Sequence, residues 1–168
     1  MKRLFLTLPL IALLFSLTAC GSGGSSQAAI SQELDVDVSS GQVLSFEDSH
    51  GGFHGDGTAF VVLSFPDDRV LREIEEAPQW KPLPLDRTVK ALAYGVSDAA
   101  GSTGPFLTDG GGNPLLPEIQ RGYYLLIDRQ ADSGSATGAG ILDRSSFNFT
   151  LSLYDADTQT LYYCRMDT

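Results

Sequence analysis

The chain has 168 residues, with 11 basic against 21 acidic side chains and a net charge of −10 at neutral pH. Such a surface excludes the phosphate neutralisation that dominates nucleic-acid binding, and it disfavours lying flat on anionic lipid. The two cysteines, Cys20 and Cys164, exclude a disulfide framework. HExxH, GxSxG, Walker A and paired CxxC motifs are all absent, so no cofactor is expected.

Lys2 and Arg3 precede an almost wholly apolar run over 4–17, interrupted only by Thr7, Pro9 and Ser16. This is the basic-then-apolar order of a secretory signal. It falls short of the roughly 20 apolar residues of a spanning helix. An uncleaved N-terminal anchor and a signal cut at a small residue are the competing readings. Leu17-Thr18-Ala19-Cys20 resembles the lipobox of bacterial lipoproteins. The resemblance covers residues 1–20, and no family is recognised in 21–168. It implies that residues 1–19 are removed, that the Cys20 thiol carries diacylglycerol and that the new amino terminus is acylated. Two or more acyl chains anchor a protein stably where one does so marginally. Gly21 follows where Gram-negative inner-membrane lipoproteins carry Asp. The expected location is the outer leaflet of a Gram-positive plasma membrane, or the outer membrane of a Gram-negative cell. Losing Lys2 and Arg3 leaves a more acidic chain of about 150 residues, enough for one domain. With Cys20 consumed, Cys164 has no partner.

In chain order, residues 20–29 contain GSGGSSQAA and read as a lipidated cysteine with a flexible tether, folded structure starting near Ile30. A strand is expected over 42–47, then a Gly-rich loop over 48–57. Residues 58–65 (TAFVVLSF) are apolar on both faces, as in a central strand. Pro66-Asp67-Asp68 opens a helix over 68–76 with Val70, Leu71, Ile74 and Ala77 on its apolar face, and Pro78 stops it. Trp80 lies in a Pro-rich connector and plugs the edge of the core, or serves as a binding residue. Asp86 is the N-cap of a short helix over 88–94 ended by Gly95, although VKALAY also fits a strand.

Residues 96–121 form a long loop holding a small hairpin that turns through 109–113. A strand over 123–128 and a second flexible loop over 130–140 follow. Phe147, Phe149, Leu151 and Leu153 then alternate with Ser146, Asn148, Thr150, Ser152 and Tyr154, the pattern of a half-buried strand. A turn at 155–160 returns the chain as a strand over 161–166. This register pairs Leu153 with Tyr162, Leu151 with Cys164 and Phe149 with Met166, turning Cys164 into the core. The sum is one α+β domain over 30–168. It is a mainly antiparallel sheet of about five strands, with two short helices between the second and third.

The sharpest local feature is the loop over 47–57, with His50, His54 and Asp56 among four glycines. Two imidazoles and neighbouring carboxylates suit a divalent metal such as Zn²⁺. The alternative is a hairpin connection whose histidines cap backbone groups or face water. Asp155 and Asp157 begin like a calcium loop, but no Gly at the sixth position or Glu at the twelfth follows, so they read as a turn.

Three functions stand open. One is a non-enzymatic, membrane-anchored module binding an extracytoplasmic protein or small molecule through its loops, with Trp80, Asp109 and Asn113 as candidate binding residues. Another is a small metal-assisted hydrolase using His50, His54 and Asp56. The last is a structural envelope component.

Overall fold

The computed structural model describes residues 26–51, 55–99, 101–130 and 140–168. The expected signal (1–19), Cys20, residues 21–25, His54 and most of the 130–140 loop lie outside the described residues.

The expected tether gives way earlier than its composition suggests. Ser26 accepts a hydrogen bond from the Ala29 amide at 3.3 Å and caps helix α1 (Gln27–Leu34). Ile30 and Leu34, four residues apart, bury one side of it. The Gly/Ser/Gln composition hides this cap, and residues 26–29 of the expected tether form the cap and first turn of α1.

Strands β1 (Gln42–Asp48) and β2 (Gly57–Ser64) form a hairpin, and helix α2 (Arg69–Glu76) follows. The two-residue strand β3 (Lys81–Pro82) precedes helix α3 (Arg87–Tyr94), whose N-cap Asp86 accepts from the Val89 amide at 2.9 Å. Strands β4 (Val96–Asp98) and β5 (Gly101–Thr103) pair only with each other. Strands β6 (Gly122–Asp128), β7 (Asn148–Asp155) and β8 (Thr160–Asp167) complete the chain.

The main sheet is antiparallel, in the order β1-β2-β8-β7-β6-β3. The α+β class therefore stands. Two details of the expectation are corrected among the described residues: the sheet has six strands beside a separate pair, and of the three α-helices one precedes β1 and another follows the third strand, β3. Short elements such as β3 and β4 carry too few residues for a period to register. The β7–β8 register is the one expected, with Leu153 opposite Tyr162, Leu151 opposite Cys164 and Phe149 opposite Met166, and Cys164 is buried.

The half-buried reading of β7 is corrected, because Thr150, Ser152 and Tyr154 are as buried as Phe149 and Leu151. On one face Tyr154, Tyr163, Val61 and Leu63 pack with Ile30, Leu34 and Trp80. On the other, Phe149, Leu151, Leu153 and Cys164 pack with Leu92 of α3 and with Leu107 and Leu116 of the long loop. Two of the buried polar side chains here are hydrogen-bonded to one acid. The Thr150 hydroxyl and the Tyr163 hydroxyl each donate to a carboxylate oxygen of Glu33 at 2.6 Å. Among the described residues no helix is long and apolar enough to cross a membrane.

Two tyrosines on this face make an opposed pair. Tyr163 donates to a carboxylate, whereas the buried Tyr154 hydroxyl has no hydrogen-bond partner among the described residues. Tyr163→Phe is expected to cost about 1.5–3 kcal/mol, and Tyr154→Phe to be neutral or stabilising by about 1 kcal/mol. Urea unfolding of the two variants measures the signs; equal destabilisation would contradict this account of the core.

Candidate functional site

The hairpin loop between β1 and β2 is closed by Ser49, whose amide donates to the Thr58 carbonyl at 3.0 Å. The Thr58 amide returns a bond to the Ser49 hydroxyl at 2.9 Å. Gly57 is required by close approach: a Cβ there would lie 2.5 Å from the His50 backbone nitrogen. This packing turns the His50 ring toward the end of β8. Its Nδ1 lies 2.7 Å from Asp48 Oδ1, and its Nε2 lies 3.1 Å from Asp167 Oδ2.

Asp167 is the hub of a polar cluster. Arg129 Nη1 sits 2.7 Å from its Oδ1, and Arg165 Nε donates to its Oδ2 at 3.2 Å. Burial raises the Asp167 carboxyl, but the bonds and charges of Arg129 and Arg165 outweigh it and hold the group below the ordinary carboxylate range. Arg129 also donates through Nη2 to the carbonyls of Phe149 and Met166, at 3.1 and 2.9 Å, and so ties β7 to β8. Its Nε lies 3.9 Å from Glu33 of α1, the same carboxylate that receives Thr150 and Tyr163. A continuous polar chain thus runs from the hairpin loop to the first helix.

Of the proposed metal ligands, His54 lies outside the described residues, and His50 and Asp56 are placed apart in role. Both His50 ring nitrogens face protein carboxylates, and Asp56 is exposed, its carbonyl accepting from the Gly51 amide at 3.4 Å. Among the described residues no three His, Cys, Asp or Glu side chains converge as a metal site. The His50 ring, partly exposed, bonds side-chain carboxylates and not backbone groups.

The candidate binding residues are placed as follows. Trp80 is buried and donates through its indole to the Leu34 carbonyl at 3.4 Å, closing the α1 end of the core. Asp109 and Asn113 bond each other. Asp109 Oδ1 accepts from the Gly111 and Asn113 amides at 2.8 Å, and these bonds hold its carboxyl below the usual range. They build the expected turn, with Thr108 bridged to Pro114. The rest of the long loop turns Leu107 and Leu116 inward to cover the core.

Two hollows remain. One, of about 440 Å³, is lined by Leu83, Leu85, Ile119, Lys90, Glu118 and Tyr94. The Tyr94 phenol is pushed up to about 12, first by burial and then by Glu118, away from proton transfer at neutral pH. The other, of about 470 Å³, lies beside the end of β1 and is lined by Glu47, Asp48 and Asp109 with Phe60 and Leu115.

The strand expected over 42–47 is present as β1, but its exposure was not foreseen. It lies at the sheet edge, paired among the described residues with β2 alone, and exposes Val43, Leu44 and Phe46 at 49, 57 and 52 %. The signal was in the sequence: QVLSFED offers large apolar residues at 43, 44 and 46, a poor match to strict alternation.

Arg129→Ala should cost about 2–3 kcal/mol, below the figure for a fully buried pair because Arg129 and Asp167 are each about one-fifth exposed. A depressed folded-state carboxyl stabilises above its unfolded value and loses that contribution as pH falls through the folded one. Acid unfolding below about pH 4 should therefore be shallower in Asp167→Asn than in the parent; parallel curves would remove Asp167 from the account. A second measurement addresses metal. Chelator should leave the melting temperature unchanged, whereas a metal at 100 times its dissociation constant adds about 2.7 kcal/mol and its removal shifts melting by several degrees.

No protein-family model, characterised protein or solved structure matches this chain.

Proposed function

We infer that the chain is a lipid-anchored extracytoplasmic protein whose domain is a non-enzymatic module binding another protein. The observation that carries this is the apolar edge strand β1. Soluble sheets protect their edges with Lys, Pro, bulges or very short strands, because an open edge pairs with other chains. The opposite edge of this sheet follows that rule: β3 is two residues long, one Lys and one Pro. At β1 the rule lapses. The strand runs seven residues without Lys or Pro, and its one irregularity lies between Val43 and Ser45. Three large apolar side chains stand in solvent there.

The anchor rests on the lipobox resemblance of residues 17–20 and places the module at the cell exterior. The binding reading is favoured over the metal-assisted hydrolase because the ring nitrogens of His50 are engaged by Asp48 and Asp167. It is favoured over a purely structural role because a surface without partners gains nothing from an unprotected edge.

Two readouts test the proposal. Cells fed a fatty-acid analogue should label the parent and not Cys20→Ala; label on the variant would exclude the anchor. A photo-cross-linking residue at position 46 should capture a discrete protein in living cells, and the same residue at exposed position 76 of α2 should not. Identical patterns from both positions would count against β1 as the binding surface.

A further inference from the structure

This inference rests on the binding-module reading. We propose that the occupant of β1 is an extended segment of another protein, added as a further strand, which lays an apolar side chain beside Phe46 and places a lysine or arginine in the acidic hollow beside Glu47.

β1 ends the sheet, so among the described residues the amide and carbonyl groups pointing away from β2 have no neighbouring strand. The register shift between Val43 and Ser45 spoils the start of that edge, while Ser45 to Asp48 pair regularly with Val62 to Ala59. The regular half is where an incoming strand finds an unbroken ladder. Main-chain bonds of this kind supply affinity, and the side chains that flank them supply selectivity.

The two sides of that half differ in chemistry. Directly opposed residues share a face. Phe46 lies opposite Val61, which belongs to the core beneath α1 and α2, so the Phe46 side is apolar and carries Val43 as well, opposite Leu63. Glu47 lies opposite Phe60, on the other face, at the hollow of about 470 Å³. Among the described residues that hollow brings Glu47, Asp48 (beside His50) and Asp109 (bonded within its turn) over the apolar walls of Phe60 and Leu115, with no Lys or Arg in its lining. A long basic side chain suits such a place, its methylenes on the apolar walls and its charged head among the carboxylates. A strand alternates its side chains between faces, so one extended segment meets both demands with adjacent residues.

The same facts argue against a second copy of this chain. Pairing β1 with itself brings two copies of QVLSFED together, and that segment has two acids and no base. The hollow would remain without a cation, and the acidic chains repel. A bilayer surface is a poor occupant for the same reason, since anionic headgroups would face Glu47 and Asp48.

The probe is a short capped peptide of alternating valine and lysine carrying a fluorophore, titrated with the full chain in mild detergent at physiological salt. Saturable binding is expected. Phe46→Ser should weaken it about tenfold, and Glu47→Gln should weaken it severalfold with a smaller dependence on salt. The decisive control is the same peptide with alternate backbone nitrogens methylated on its pairing edge. It keeps every charge and side chain but cannot form the ladder, and it should bind at least about tenfold more weakly. Both substituted positions are exposed, and unchanged melting temperatures establish that the variants fold.

No saturable binding, equal binding of the methylated peptide, or indifference to both substitutions would overturn the proposal. So would a dimer in ultracentrifugation, or vesicle association, that Phe46→Ser abolishes. A position-46 cross-link in cells combined with failure of the peptide series would leave the binding module standing and remove strand addition alone. Loss of both would remove the module too.

Discussion

Everything in this domain depends on a sheet centre that is dry on both sides. β7 and β8 carry Phe149, Leu151, Leu153 and Cys164 on one face and Thr150, Ser152, Tyr154 and Tyr163 on the other, all without solvent contact. A small chain must therefore supply two covers. One is built from α1, α2 and Trp80, and the other from α3 with the inward-turned loop around Leu107 and Leu116. Cover is the scarce resource, and it runs out toward β1. The exposed Val43, Leu44 and Phe46 are thus where the covering layers stop, at the strand farthest from the middle of the cover.

The polar chain from Asp48 through His50, Asp167 and Arg129 to Glu33 is the counterpart of that dry centre. Glu33 sits against β7 and β8, and its charge is tolerable because Thr150 and Tyr163 donate to it and Arg129 stands near. Arg129 in turn fixes Asp167, and Asp167 fixes the ring of His50. His50, from the loop that looked like the best metal site in the sequence, therefore links the end of β1 to the end of β8. A histidine between two carboxylates can act as a rivet as readily as a ligand, and here its partners decide which.

The legibility of the sequence divides along the same physical line. The β7–β8 register is readable because a period of two survives wherever large apolar residues mark one face. The burial of the opposite face is not, because Thr150, Ser152 and Tyr154 look like solvent residues until a helix supplies the acceptor for one of them. That helix is itself obscured: Ser26 is a cap only in a chain that folds back, and in GSGGSSQAA it reads as linker. α2 and α3 announce themselves through Asp-rich starts and a Pro or Gly stop. The site residues fare worse, since His50 and Asp167 are 117 positions apart and no local spacing connects them. Trp80 and Asp109 are conspicuous for structural reasons, one as a core plug and one as the acceptor in its own turn. The strand with the strongest claim to function is the least conspicuous, because apolar residues in a strand are ordinarily assigned to the core.

The position of α1 ties the proposed anchor to the proposed binding edge. The Gln27 side chain donates to the Val38 carbonyl at 3.0 Å and to the Gly41 carbonyl at 2.8 Å, so the start of α1 is clasped to the residue just before β1. Six residues lie between Cys20 and Gln27, and the seven Cα–Cα steps have a covalent reach of at most about 25 Å. If Cys20 carries lipid, the start of α1, and with it the clasped start of β1, then stays close to the membrane surface whatever the domain's orientation. A tether of this length raises the local concentration of β1 for segments presented at the same membrane and leaves it out of reach of distant ones. An unprotected edge free in solution invites indiscriminate pairing. Holding it against one surface restricts which chains it meets, and an acidic hollow beside Glu47 restricts which of those it keeps.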